Sequence, residues 1–193
     1  NNPNGLFSST ASKPTEFQLW IGGQMVSQLD SLFVQGVHNP LMRDTTAKAS
    51  MAATTSTLKS NHGGDHYMIP FFFGEDWTKS LPLVALQYHD VEIRIKCRDG
   101  YTPVGTPKVF GNYVYLDTEE RKFFTDKEHE ILITQTQYQP ASSTDTEIDL
   151  SYFNHPVKSL HLVSGNTTAG NDWDSEFTFD KTSLYINGVP LFE

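Results

Sequence analysis

Between positions 90 and 98 the chain alternates without a break. Val91, Ile93, Ile95 and Cys97 fall on one side, and Asp90, Glu92, Arg94, Lys96 and Arg98 on the other. A period of two is that of a half-buried strand, so the first set is expected inward and the second outward or at a contact. Similar short bursts of aromatic and β-branched residues, separated by Gly, Pro, Asn and Asp, predict strands at 16–21, 67–73, 109–116, 130–137, 157–163, 176–179 and 183–186. Gly22-Gly23 and Asn187-Gly188 read as hairpin turns, the second more strongly, because each supplies residues that tolerate positive φ. Long helical periodicity is absent. One short helical turn is predicted at 117–124, where Asp117 or Thr118 can cap and acidic residues fill the first turn. The pattern is that of an all-β domain.

Three stretches depart from simple alternation. Residues 44–60 are rich in Thr, Ser and Ala with little to bury, which predicts an exposed excursion. Residues 139–146, QPASSTDT, join two strand-bearing regions and read on composition equally as an interdomain linker or a long loop. In the run Pro70 to Phe73 three successive rings cannot share one face of a strand, so at least one needs a second cover. Pro82 precedes the regular alternation, where a missing ladder N–H is tolerated.

A length of 193 residues fits one large β domain or parts of two. Against 14 basic residues stand 23 acidic ones, a formal charge of −9 that opposes direct binding to a phosphate backbone. The single cysteine, Cys97, permits no internal disulfide and is expected to behave as a small buried hydrophobe. No apolar run approaches a membrane span, and the opening NNPNGLFSST lacks the basic start and apolar centre of a signal peptide. A soluble protein of a reducing compartment is the expectation. The chain opens without Met and stops just after a strand-like run and turn, which leaves room for a longer natural polypeptide.

Candidate chemistry is sparse. The strongest metal candidate is HGGDH, with His62, Asp65 and His66, but the intervening glycines disfavour the helix that would bring the histidines to one face. His89 and Asp90 are neighbours on a strand-like run and point to opposite sides, so they cannot pair with each other as a catalytic couple. The acidic groups at Asp117, Glu119 and Glu120, at Glu75-Asp76, and at Asp172 and Asp174 read as solvated turns rather than a glycosidase pair. Trp20, Trp77 and Trp173 could stack on sugars, yet large aromatics more often fill cores and interfaces. Asn166-Thr167-Thr168 is a sequon in an apparent loop, open to a glycan only if the chain meets the machinery. No phosphate loop, nucleophile elbow or CxxC pair occurs, so no catalytic, cofactor or metal residue is assigned.

Three ordered segments carry more information than their chemistry. FFFGEDWTKSLPLVALQYHDVEIRI, then YVYLDTEERKFFTDKEHEILITQTQ, then FNHPVKSLHLV resemble signature segments of the major capsid proteins of nucleocytoplasmic large DNA viruses. LWIGGQMV is similar to the strand that precedes them in that family. The resemblance covers 16–163 and weakens beyond. It implies two consecutive antiparallel jelly rolls and a homotrimeric, pseudo-hexagonal capsomer in contact with neighbouring capsid proteins. On this reading 1–138 is the later part of the first roll, 139–146 the linker, and 147–193 the opening part of the second. It further implies a non-enzymatic shell subunit of the virion, assembled in the host cytoplasm. A carbohydrate-binding sandwich and, less favoured, a cupin-like metal enzyme using His62, His66 or His89 are the alternatives.

Overall fold

The computed structural model describes residues 15–31, 33–38, 41, 68–97, 108–140, 146–162 and 182–192. Strand β1 (Glu16–Ile21) turns at Gly22 and Gly23 into β2 (Gln24–Asp30). Both glycines hold positive φ, 57° and 80°, which L side chains seldom adopt and a tight two-residue hairpin requires. β3 (Val91–Lys96) returns to pair antiparallel with β1, giving a three-stranded sheet ordered β2-β1-β3. A separate hairpin joins β4 (Leu184–Ile186) to β5 (Val189–Phe192) through Asn187 and Gly188, again both at positive φ.

The register fixes which side chains meet. Phe17 faces Ile95 and Leu29, and Leu19 faces Ile93 and Ser27, so these groups share the core face. Between Ser27 and Met25 the pairing shifts, leaving Val26 without a Cα partner in β1, a β-bulge. Phe17, Leu19 and Leu29 are buried against Val34, Phe71 and Phe72, with Ile21, Val26, Phe33, Ile69, Leu81 and Val91 packed around them. Val34 lies on a π-helical turn, Phe33–His38, whose entry is fastened by the Phe33 N–H donating to Asp30 Oδ1 at 2.7 Å.

Several expectations require correction. The 67–73 strand is absent over its described part: Phe71 lies just ahead of a 3₁₀ turn, Phe72–Gly74. That turn lets Phe71 and Phe72 both enter the core while the half-buried Phe73 packs edge-on against Phe72, centroids 5.5 Å apart. The second cover for the ring run is thus supplied within the turn itself. β3 has the face expected of it but not the full burial, since Ile93 and Ile95 each remain 38% exposed. Among the described residues β3 is an edge strand, and its core face is covered less completely than that of the central β1. Cys97, just past its end, is exposed rather than inward. No strand forms at 109–116, 130–137 or 157–162, because these stretches find no ladder partner among the described residues. The excursion at 44–60 and the expected strand at 176–179 lie outside the described residues.

An α-helix, α1 (Thr118–Asp126), forms where expected and ends two residues further on. Asp117 caps it: its Oδ1 accepts from Glu120 N and Glu120 Oε2 accepts from Asp117 N, each at 2.9 Å, a reciprocal capping box. The described structure is therefore antiparallel β with a single short α-helix.

Candidate assembly surface

On the polar side of the sheet, Glu16, Gln18 and Trp20 of β1 stand opposite Lys96, Arg94 and Glu92 of β3. Lys96 Nζ reaches Glu16 Oε2 at 3.1 Å, and Gln18 Nε2 donates to the same oxygen at 3.2 Å. Gln18 Oε1 accepts from Trp20 Nε1 at 3.0 Å, while the Arg94 guanidinium lies 4.1 Å from the Trp20 ring centroid and pairs with Glu92. Gln18 is buried within this row, its amide satisfied at both ends. The charged side of β3 thus lies at a contact, one made with its own neighbouring strand.

The apolar surface lies elsewhere. Tyr88, Phe110, Tyr113, Tyr115 and Leu132 are each more than 80% exposed. Val109, Val114, Tyr138, Tyr152, Val157 and Leu162 add to them, as do Tyr185, Ile186, Val189 and Leu191 of the β4–β5 hairpin. Scattered single apolar residues on a surface are ordinary, but this many large apolar groups left exposed call for a cover. The stretches expected as strands at 109–116, 130–137 and 157–163 contribute most of this set. They carry the side chains of buried strands without burying them.

Two polar contacts tie residues 134 and 135 to the part of the chain before 97, one of them to the sheet. Gln135 Nε2 donates to the carbonyl of Val26, the bulged residue of β2, at 2.6 Å. Thr134 Oγ1 donates to Glu75 Oε1 at 3.1 Å. Glu75 also accepts from Lys79 and lies 3.6 Å from Lys158 Nζ. The Lys79 hydrogen bond is the chief reason that its carboxyl sits below its ordinary pKa, with Thr134 and Lys158 adding to the effect against a desolvation cost. Asp76 is lowered first by the Thr78 hydroxyl, and Asp149 by the Ser151 backbone N–H. Carboxyls held below their usual range are ionised at neutral pH, the wrong state for a general acid.

The sequence candidates divide between described and undescribed residues. His62, Asp65, His66, Asn166, Asp172, Trp173 and Asp174 lie outside the described residues. Among the described residues no group of three or more His, Cys, Asp and Glu side chains is placed to hold a metal ion. The His89 ring lies over Gly22, where an added Cβ would meet its Cγ at 3.4 Å, and the carbonyl of Asp90 accepts from Gly22 N at 3.0 Å. This pair closes the end of the sheet. Asp117 and Glu120 are consumed by the helix cap, and Asp76 by its own turn. Trp20 is partly buried with Arg94 over its ring, and Trp77 is exposed on a different element. Sequence reasoning did not single out Glu75 and Gln135 as ties, since both act through partners more than 55 positions away.

Comparison with known proteins identifies the class. The family described as "Major capsid protein N-terminus" matches residues 14–117, a span that holds all three strands of the sheet and its core. The chain belongs to this family. It is 34% identical over 162 residues to the major capsid protein of Pyramimonas orientalis virus, covering 79% of this chain and 39% of that protein. It is 35% identical over 131 residues to capsid protein 1 of Acanthamoeba polyphaga mimivirus, covering 58% of this chain and 22% of that protein. With the major capsid protein of Paramecium bursaria Chlorella virus 1 it shares 33% identity over 110 residues, 47% of this chain and 25% of that protein. The chain therefore spans well under half the length of these relatives. No solved structure matches it.

Proposed function

We propose that this chain is part of a structural capsid subunit that builds the icosahedral shell of a large DNA virus as homotrimeric capsomers. Residues 1–138 would belong to a first jelly roll, 139–146 to the linker and 147–193 to the opening of a second. The observation that carries this reading is the apolar surface over 108–162 and the β4–β5 hairpin, in a chain whose relatives are capsid proteins. Side chains with strand patterning but no ladder partner call for further strands or a neighbouring subunit to cover them. Such a wall requires satisfied faces and matched apolar patches, and no tuned catalytic group. The partners are further copies of the subunit and neighbouring capsid proteins, the location is the virion, and assembly takes place in the host cytoplasm. A formal charge of −9 argues that the genome is enclosed without direct contact by this segment. Asn166 is the residue that would carry a glycan.

Sedimentation of the full-length protein tests the proposal. A stable trimer is expected, burying an interface at or above the roughly 1,600 Å² of standard protein pairs. A monomer that persists at high concentration would overturn it.

A further inference from the structure

Two side-chain contacts among the described residues cross residues 139–146, and one of them ends on a carboxylate that other groups also share. Glu75 sits between two 3₁₀ turns, Phe72–Gly74 and Trp77–Lys79. Its Oε1 accepts from Thr134 at 3.1 Å, and its Oε2 serves both Lys79, on the second turn, and Lys158, on the far side of 139–146, at 3.6 Å. A second crossing contact lies nearby in sequence, Gln137 Nε2 donating to Asn154 Oδ1 at 3.4 Å. We propose that Glu75 is a clasp that holds residues 146–162 against the N-terminal body, and that acidification opens it. This goes beyond the capsid role and does not rest on it.

The charges facing Glu75 set the direction. From its own turn come Lys79 and Asp76, the latter engaged with Trp77 N and Thr78 Oγ1. Residues 131–137 bring the Thr134 hydroxyl and no ionisable side chain, and residues 146–162 bring Lys158. Because the folded state holds the carboxyl below its ordinary pKa, the clasp is fully closed above that ordinary value and is lost as pH falls through the lower, folded one. At neutral and mildly acidic pH it stays shut; only stronger acid frees Lys158 and weakens the Thr134 hydrogen bond, whose acceptor becomes a neutral carboxyl oxygen. Lys79 and Lys158 share one oxygen, so protonation removes two cationic contacts at once.

Amide hydrogen exchange on the intact chain tests this. At pH 7, K158M and E75Q are each expected to speed exchange in residues 146–162 by about two- to fivefold, the range of an exposed ion pair. The double variant should be no faster than either single one, since both changes remove the same contact. E75Q alone should also speed exchange in 131–137, where Thr134 loses its carboxylate. After correction for intrinsic rates, wild type and K158M should converge once pH falls well below the carboxylate range. Unchanged exchange over 146–162 in K158M, or effects of the two substitutions that add, would overturn the clasp. A difference between wild type and K158M that survives strong acid would overturn its pH dependence.

Discussion

Gly22 and Gly23 cannot be replaced without cost, because their φ of 57° and 80° suit glycine, whereas the His89 ring, 3.4 Å from a Cβ added at Gly22, stands at ordinary contact distance. G22A and G23A are each expected to destabilise the fold by about 1 kcal/mol, read from denaturant midpoints, since both meet the same backbone term. D117A removes an acceptor from a capping box and should cost about 1 kcal/mol of helix stability, visible as lost ellipticity near 222 nm. In the core, F17A strips a fully buried ring and should cost about 3–5 kcal/mol in the same denaturant series. The cap at Asp117 was legible because every group it uses lies within a few positions. The seat of His89 over Gly22 was not, since only the β1–β3 pairing brings the two together.

β1 follows its sequence pattern closely, and β2 escapes it for one physical reason. The bulge at Val26 shifts the phase of the strand, so Met25 pairs with Trp20 and stays exposed while Val26 packs against the core, and beyond the bulge Ser27 holds the core-facing slot opposite Leu19 with a polar side chain. The Pro70 to Phe73 run misled in the opposite sense, since ring-rich composition suits a strand yet two consecutive buried rings suit a tight turn. β3 shows the limit of periodicity: the alternation reports which face a residue takes, while burial depends on what covers the edge. The Gln135 contact to the bulged carbonyl gives a test at this scale. Q135L should loosen residues 131–137, raising their amide exchange by an amount equivalent to about 0.5–1.5 kcal/mol, while exchange across the β1–β2 ladder stays unchanged.

Across the described residues a small core stands beside many exposed apolar groups. Replacing Phe110 and Leu132 together with Ser should therefore improve the solubility of these 193 residues and, in the full-length protein, weaken trimers in sedimentation. A variant pair that leaves both properties untouched would place the subunit contacts elsewhere. The antiparallel sheet and the helix could be anticipated from local pattern, but the partners of 109–116, 130–137 and 157–163 could not, because pairing information is held by residues distant in sequence. The exposed Cys97 has a practical consequence. It is the sole thiol and stands just beyond the last residue of an edge strand. A single maleimide fluorophore would label one defined spot per chain, and energy transfer between donor- and acceptor-labelled copies would follow subunits meeting one another in real time.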